Sequence, residues 1–232
     1  MKLIIDKKIF EKFPSLKVGV VIAKNINNKG EDKEIFHLLE EVEELIKDDF
    51  TPEDIAKHKL ISPWRSAYLA FGAKPKKHHN SVEALMRQIL EGKLPRINKL
   101  VDLYNYLSLK HLVPMGADDL DEVIGNIRLT FALGSETFIP IGKGSRSNPE
   151  KGEIIYRDDL EVLCRRWNWR ECYKTRITED TKNAILYVEG LSPVTETELK
   201  SILEELADLV KSFLGGETKV EILNKNKTEI EL

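Results

Sequence analysis

The chain has 232 residues, of which 41% are hydrophobic and 32% are charged, and its formal net charge is −3. This length suffices for a sizeable core, and the nearly balanced charge argues against disorder caused by self-repulsion. The sequence has no apolar run of the roughly 20 residues that a membrane helix needs, and Asp6 follows the start too closely for a signal peptide. Cys164 and Cys172 fit a reducing compartment, so we expect a cytoplasmic protein.

In the first half of the chain, the pattern of apolar residues predicts one strand and then a series of helices. The continuous apolar run 17–24 has the length of a strand that is buried on both faces. From Lys33 to Asp48 the apolar residues recur at helical spacing. Capping residues and prolines predict four further helices, which start at Thr51, at Ser62, at Asn80 and near Ile97.

The second half of the chain is predicted to consist mainly of strands, namely the runs 127–133, 137–141, 153–156, 160–166 and 183–189. A capping box at Thr195 begins an amphipathic helix that Gly215 ends, and 219–223 is predicted as a last strand. Helices followed by strands indicate an α+β fold with a mixed, largely antiparallel β-sheet core and flanking helices. The polar stretch 143–152 lies among strands, so we predict a loop within one domain of residues 1–232.

The predicted helix near Ile97 carries an unusual polar stripe. Asn98, Asp102 and Asn105 stand at i, i+4 and i+7, so they share one face, and apolar residues flank them. A buried polar group without a hydrogen bond costs roughly 1–3 kcal/mol, so these side chains must have partners. They line a binding site, or they bond loops and strand ends inside the fold, as buried polar side chains usually do.

The densest group of unusual residues is the run from Arg165 to Arg170, with three arginines and two tryptophans. If the strand continues through it, Arg165, Trp167 and Trp169 share one face, and the other face carries Arg166, Asn168 and Arg170. Tryptophan can stack on a base, and arginine can bind a phosphate or carboxylate with two hydrogen bonds. The alternatives are a tryptophan core plug with arginines paired to Asp158, Asp159 or Glu161, and a bulge near Trp167 that exchanges the two faces.

Two charged clusters admit a functional and a structural interpretation each. The basic loop with Lys74, Lys76 and Lys77, together with Arg65, could contact an RNA phosphate backbone, although charge runs are usually just exposed. The acidic residues at 118–122 could bind a metal, but carboxylates also suit helix N-termini, which is the interpretation we favour.

Several blocks of the sequence resemble the B3/B4 domain family, which includes the editing domain of the bacterial phenylalanyl-tRNA synthetase beta subunit. The blocks are 94–106, 114–120, and Thr181 with Glu189, in matching order and spacing. The segment 64–68, the helix from Ser81 and the run 164–170 are similar to the stand-alone branch of that family. The resemblance covers roughly 64–189, and implies that 1–60 and 194–223 are additions to the same domain.

The resemblance implies editing chemistry. In the synthetase, this domain hydrolyses tyrosine wrongly attached to the phenylalanine tRNA, in a pocket where water is oriented without a protein nucleophile. We therefore expect a trans-acting editing factor that binds the tRNA 3′ end and the amino acid in a cleft, with tRNA as partner and without DNA, membrane, metal or cofactor. The residues predicted for catalysis are Glu189 and Asn105. Those predicted for substrate binding are Asn98, Asp102, Tyr104, Gly116, Arg165, Arg166, Trp167, Asn168, Trp169, Arg170 and Thr181.

The chain departs from the family pattern at positions that face the substrate. Tyr104 stands where the family has a threonine, and Gly116 stands where it has a histidine. The segment 167–169 replaces a glycine-rich turn, whereas Glu189 is retained. We therefore expect a substrate other than tyrosine. The alternatives are a non-catalytic module that binds tRNA, another RNA or a small metabolite, and a scaffold domain.

Overall fold

The computed structural model describes residues 1–142 and 145–232, so the first two residues of the predicted loop 143–152 lie outside the described part. The strands that it describes are β1 (Lys2–Ile5), β2 (Lys17–Lys24), β3 (Met115–Asp119), β4 (Ile127–Phe131), β5 (Ile154–Arg157), β6 (Val162–Arg165), β7 (Arg170–Glu171), β8 (Ala184–Gly190), β9 (Glu217–Leu223) and β10 (Glu229–Glu231). The α-helices are α1 (Lys7–Lys12), α2 (Lys33–Asp49), α3 (Pro52–Lys57), α4 (Ser62–Ala70), α5 (Ser81–Leu90), α6 (Lys99–His111) and α7 (Glu196–Leu214).

The strands form two sheets. One has the order β10-β1-β4-β5-β6-β7, in which the β1–β4 pair is parallel and the other pairs are antiparallel. The second sheet has the order β3-β8-β2-β9 and is antiparallel throughout. The predicted α+β fold with a mixed, largely antiparallel sheet core and flanking helices is thus confirmed.

The two central strands of the second sheet are buried on both faces, and their side chains alternate between two cores. Val18, Val20 and Ile22 of β2 pack toward the first sheet, while Val21 and Ala23 pack toward the helices. Strand β8 follows the same alternation, as expected for a side-chain period of two. Because Glu189 shares its parity with Ile185 and Tyr187, its side chain is directed toward the first sheet.

Helices cover the other face of the second sheet. Helix α7 packs on β2 and β9, and α6 packs between α7 and the α2–α5 pair. The apolar stripe of α7 includes Leu199, Leu203, Leu206 and Val210, all buried. None of the helices in the described residues combines the length and the apolar character that a membrane span requires.

Most of the predicted helices and strands are present, and the structure differs from the prediction at a few positions. The predicted strand 137–141 makes only isolated bridges at Phe138 and Pro140. Ser62 lies inside α4, whose N-cap Ile61 makes no side-chain hydrogen bond. The sequence pattern did not predict the short elements β1, α1, β3, β7 and β10, which are two to six residues long.

Candidate functional site

A cavity of about 280 Å³ is lined by residues from both sheets and from α5 and α6. Its volume is near the lower end of ligand pockets, which suits a group the size of an amino acid. The lining residues are Ser81, Ala84, Leu85, Tyr104, Asn105, Met115, Gly116, Ala117, Asp118, Ile141, Tyr156, Cys164, Trp167, Asn168, Trp169, Arg170, Glu171, Tyr187 and Glu189. Tyrosine, tryptophan and carboxylate side chains are prominent among them.

One wall of the cavity is a tight turn between β6 and β7, at residues 166–169. Arg166 and Trp167 have φ angles of 46° and 69°, in the left-handed region that bulky residues rarely adopt. The predicted alternation of the two faces from Arg165 to Arg170 is therefore wrong, because the strand ends at Arg165. Instead, Trp167 packs into the core against Phe13 and Trp64, with ring centroids 5.0 and 5.1 Å away. The alternative of a tryptophan core plug is correct for this residue.

A buried carboxylate holds the turn in place. Glu153 accepts two hydrogen bonds from the Arg165 guanidinium, at 2.9 and 2.8 Å, and one from the Arg166 backbone N–H at 2.9 Å. Burial opposes ionisation of Glu153, but hydrogen bonds with Arg165 and with the Glu150 backbone N–H outweigh it, and the pKa of Glu153 is lowered. Arg165 and Arg166 thus pair with Glu153 and Glu150, and the alternative that paired the arginines with Asp158, Asp159 or Glu161 is wrong for both.

The first carboxylate of the cavity is Glu189, which is 2% exposed. Its Oε1 accepts hydrogen bonds from the Tyr156 hydroxyl at 2.5 Å and from the Trp167 indole at 2.8 Å, and its Oε2 accepts one from the Asn168 amide at 2.7 Å. Tyr68 donates to Asn168 Oδ1 at 2.8 Å, which fixes the orientation of that amide. Burial raises the pKa of Glu189 although the three donors favour its ionised form. Oε2 accepts a single bond here and can accept another from a ligand.

The second carboxylate is Asp118, on β3, which is 5% exposed. It accepts hydrogen bonds from the Thr175 hydroxyl and from the Tyr187 hydroxyl, the latter at 3.0 Å. Burial raises the pKa of Asp118 to about 6. The Tyr187 and Tyr156 rings pack together with centroids 4.9 Å apart, so adjacent tyrosines donate to different carboxylates.

The third carboxylate is Glu171, on β7, which is partly accessible from the cavity. Burial and the nearby charge of Asp118 raise the pKa of Glu171 to about 8, and the Ala117 backbone amide offsets this only in part. A Cβ added to Gly116 would lie 2.9 Å from Glu171 Oε1, which is closer than real Cβ contacts. Gly116 therefore makes room for this carboxylate.

Tyr104 and Asn105 of α6 complete the wall opposite the turn. Tyr104 is 5% exposed, and its hydroxyl makes no hydrogen bond within the described residues, although it lines the cavity. Burial raises the pKa of Tyr104, with further contributions from the charges of Glu171 and Asp118, so the phenol stays protonated near neutral pH. A hydroxyl that is open to the cavity can exchange a hydrogen bond with a bound molecule.

A second cavity, of about 370 Å³, lies on the other side of the turn. Its charged lining consists of Lys74, Lys77, Lys151, Arg166, Glu150 and Glu153, so four basic side chains face two acidic ones. Trp169 connects the two cavities: it lines the first, while the guanidinium of Arg166 lies 4.7 Å from its ring centroid. Arg170 covers the same ring at 5.0 Å, and the His78 ring meets its edge at 4.6 Å.

The remaining predicted site residues lie outside the first cavity. Asn98 caps α6 through Val101 N–H and bonds the Ile177 carbonyl, and Asp102 accepts from the Ile97 N–H. Thr181 donates to Asp119 at 2.6 Å. These three side chains make hydrogen bonds to backbone groups or to a neighbouring carboxylate inside the fold. For Asn98 and Asp102 this is the alternative in which buried polar side chains bond loops and strand ends.

Of the four residues predicted for RNA binding, Lys74 and Lys77 line the second cavity. Lys76 is exposed and is not among its lining residues. Arg65 is bound to the buried Glu83, with 2.6 Å between Nη1 and Oε1. Its guanidinium therefore stabilises the start of α5.

The cavity residues that the sequence pattern missed are Asp118, Glu171, Tyr156, Tyr187 and Cys164. The acidic cluster 118–122 was interpreted as a helix start, which is correct for Asp119, the N-cap of a short 3₁₀ helix, but Asp118 belongs to β3. Within the described residues, no group of three or more His, Cys, Asp or Glu side chains is arranged to hold a metal ion.

The family model of the B3/4 domain matches residues 63–215. The phenylalanine–tRNA ligase beta subunit of Fusobacterium nucleatum is 25% identical over 191 residues, which cover 82% of this chain and 22% of that subunit. The chain thus spans about a fifth of the length of this relative. A solved N-terminal fragment of the phenylalanyl-tRNA synthetase beta subunit from Pyrococcus horikoshii is 15% identical, covering 94% of this chain and 49% of that one, with a TM-score of 0.45.

Proposed function

Because the chain belongs to the B3/4 domain family, we propose that it is a trans-acting editing factor that hydrolyses the ester of a mischarged aminoacyl-tRNA. The observation that carries this proposal is the pair of cavities on either side of the turn 166–169. One is small, aromatic and acidic, and the other is rich in lysine. An aminoacylated tRNA end has the matching halves, an amino acid with a cationic amine and a chain of phosphates.

In the proposed reaction, water attacks the ester carbonyl carbon, and the bond between that carbon and the ribose oxygen breaks. One proton of the water ends on the ribose oxygen, so the products are the free amino acid and a tRNA with a free hydroxyl. Among the described residues that line the cavity, none is an activated nucleophile for this step: burial raises the pKa of Cys164 and keeps its thiol protonated. Catalysis then rests on orientation and electrostatic stabilisation.

In this mechanism Glu189 binds the α-amine of the amino acid through the free capacity of Oε2, and Asn168 holds it in place. Asn105 lines the same cavity from α6, half-buried, and orients the water or the ester carbonyl. The predicted catalytic pair Glu189 and Asn105 thus shares one cavity. The guanidinium groups of Arg166 and Arg170 lie over the Trp169 ring, so the terminal base stacks here only by displacing one of them.

Lys74, Lys77 and Lys151 of the second cavity are placed to contact the phosphates of the tRNA end. Glu150 and Glu153 already pair with Arg166, so the lysines carry the charge that is free to act. Binding through these contacts weakens steeply as the salt concentration rises, because each phosphate contact releases counterions.

The test is deacylation of a panel of mischarged tRNAs by the purified protein. We expect one class of ester to be hydrolysed, and Glu189→Gln to slow the reaction by about 100-fold or more, since it removes the carboxylate that binds the α-amine and positions the ester. Lys77→Ala should weaken tRNA binding, whereas Lys76→Ala, at an exposed neighbour outside the second cavity, should leave it unchanged. If every ester stays intact with enzyme in excess over substrate, the proposal is wrong.

A second candidate is a binding module without catalysis. It is favoured by the three donors that already bind Glu189 and by the hydrogen-bonded state of Asp118, since both carboxylates are poorly placed to accept a proton from water. This candidate predicts saturable tRNA binding with no hydrolysis in the same panel.

A further inference from the structure

The carboxylates of the first cavity form two groups, separated by the packed rings of Tyr156 and Tyr187. Tyr156 donates to Glu189 in one group, and Tyr187 donates to Asp118 in the other. The second group also contains Glu171, whose pKa responds to the charge of Asp118. The α-ammonium group of an amino acid can pair with the carboxylates on one side of the rings. The carboxylates on the other side are then left without a cation.

The protein itself supplies little compensation for these charges. No ion pair within the described residues involves Asp118, Glu171 or Glu189, and the cation that lines the cavity, Arg170, lies over the Trp169 ring. Asp118 and Glu189 are buried and Glu171 is half-buried, and a buried carboxyl group either pairs with a cation or keeps its proton. The space between them therefore suits a positively charged group of a bound molecule.

Tyr104 is an independent sign that a ligand occupies this end of the cavity. The side chain is 95% buried, since 5% is exposed, it lines the cavity beside Glu171 and Asp118, and its hydroxyl makes no hydrogen bond within the described residues. An ammonium group donates several hydrogen bonds, and a phenol oxygen and two carboxylates supply matching acceptors. The aromatic rings around them also attract a cation through their faces.

We propose that the amino acid accepted by this site carries a cationic amine in its side chain, held between Asp118, Glu171 and the Tyr104 hydroxyl while Glu189 binds the α-amine. The proposal rests on the proposed function and names its substrate class, an aminoacyl ester with a lysine-like side chain. Gly116 is part of this selection, because a Cβ there would push the Glu171 carboxylate away.

The test compares two probes by calorimetry on the full chain. Lysinamide carries both amines and no ester, and norleucinamide has the same four-carbon side chain without its amine. We expect norleucinamide to bind about tenfold or more weakly, as the loss of a charge-assisted hydrogen bond requires. Glu171→Gln and Asp118→Asn should each remove the preference, whereas Glu31→Gln, at an exposed loop residue, should keep it.

Tyr104→Phe removes a single oxygen from the site and keeps the test decisive if a carboxylate variant fails to fold; it should reduce the preference for lysinamide. Equal binding of the two probes, or a preference that survives all three site variants, would overturn the proposal. Hydrolysis of other esters with no preference for lysinamide refutes this inference and leaves the proposed function standing. A clear preference without hydrolysis of any tRNA ester, lysyl-tRNA included, refutes the hydrolase and supports the selection of a cationic side chain.

Discussion

Replacing Glu153 with alanine is expected to lower the free energy of unfolding by about 3–5 kcal/mol, the usual cost of removing one partner of a buried ion pair. Glu153 is 4% exposed and accepts four hydrogen bonds: two from Arg165 and one each from the Arg166 and Glu150 backbone N–H groups. Without it, the guanidinium of Arg165, which is 8% exposed, keeps among the described residues one hydrogen bond, to the Ser147 hydroxyl at 3.2 Å, and the Phe138 ring at 5.8 Å. A charge left buried with so few partners accounts for most of the expected loss.

The assay is urea unfolding followed by tryptophan fluorescence, since Trp167 and Trp64 pack against each other and report on the turn. The matched control is Glu150→Ala. Glu150 bonds Arg166 at 3.3 Å, but its side chain is 79% exposed, so its removal should change stability by less than about 1 kcal/mol. A loss below about 1 kcal/mol for Glu153→Ala, or an equal loss for both variants, would show that the buried ion pair does not stabilise the turn.

Three further predictions concern the carboxylate cavity and the core. Burial and the charge of Asp118 raise the pKa of Glu171 from 4.5 to about 8. The contribution of Glu171 to stability is therefore complete below about pH 4.5 and is lost as the pH rises through about 8. The melting temperature should fall over this range, and it should fall less in Glu171→Gln. The titratable cavity residues whose charges or pKa values are coupled to Glu171 are Asp118, Tyr104 and Cys164. Tyr104→Phe should change the free energy of unfolding of the empty protein by less than about 0.5 kcal/mol, because the Tyr104 hydroxyl makes no hydrogen bond to the described residues. A larger loss in urea unfolding would argue against an unpaired hydroxyl. Gly19→Ala should cost about 1–3 kcal/mol by thermal or urea unfolding, because its Cβ would clash with the Leu203 side chain of α7.

Local signals in the sequence predicted the longer elements well. Thr51 is the N-cap of α3 as expected, Thr195 forms the expected capping box, and Asn80 accepts a hydrogen bond from the Glu83 N–H as expected. A helix cap involves residues that are three positions apart, and β2 is a continuous apolar run. A short segment of sequence is therefore enough to predict these elements. Strands β1 and β10, by contrast, pair residues more than 220 positions apart, and no local pattern specifies that pairing.

The turn between β6 and β7 shows why the site itself was harder to predict. Nothing in the segment 165–170 indicates that Arg166 and Trp167 adopt left-handed φ angles, which cost more for bulky residues than for glycine. The conformation depends on Glu153, twelve residues before Arg165, and on the aromatic pocket for Trp167 formed by Phe13, Trp64 and Phe71. The density of arginine and tryptophan predicted an unusual structure, but long-range contacts decide its geometry.

The three carboxylates explain how the turn and the cavity depend on each other. Burial raises the pKa of Asp118, Glu171 and Glu189, so in the empty protein each one opposes the folded state as the pH rises. A core of apolar side chains in their place would be more stable. Yet the fold holds Asn168 and Trp167 in a strained turn whose donors reach Glu189. A turn with two left-handed bulky residues and three carboxyl groups with raised pKa values lower the stability of the empty protein, and such features concentrate at functional sites, where a cationic ligand completes the cavity.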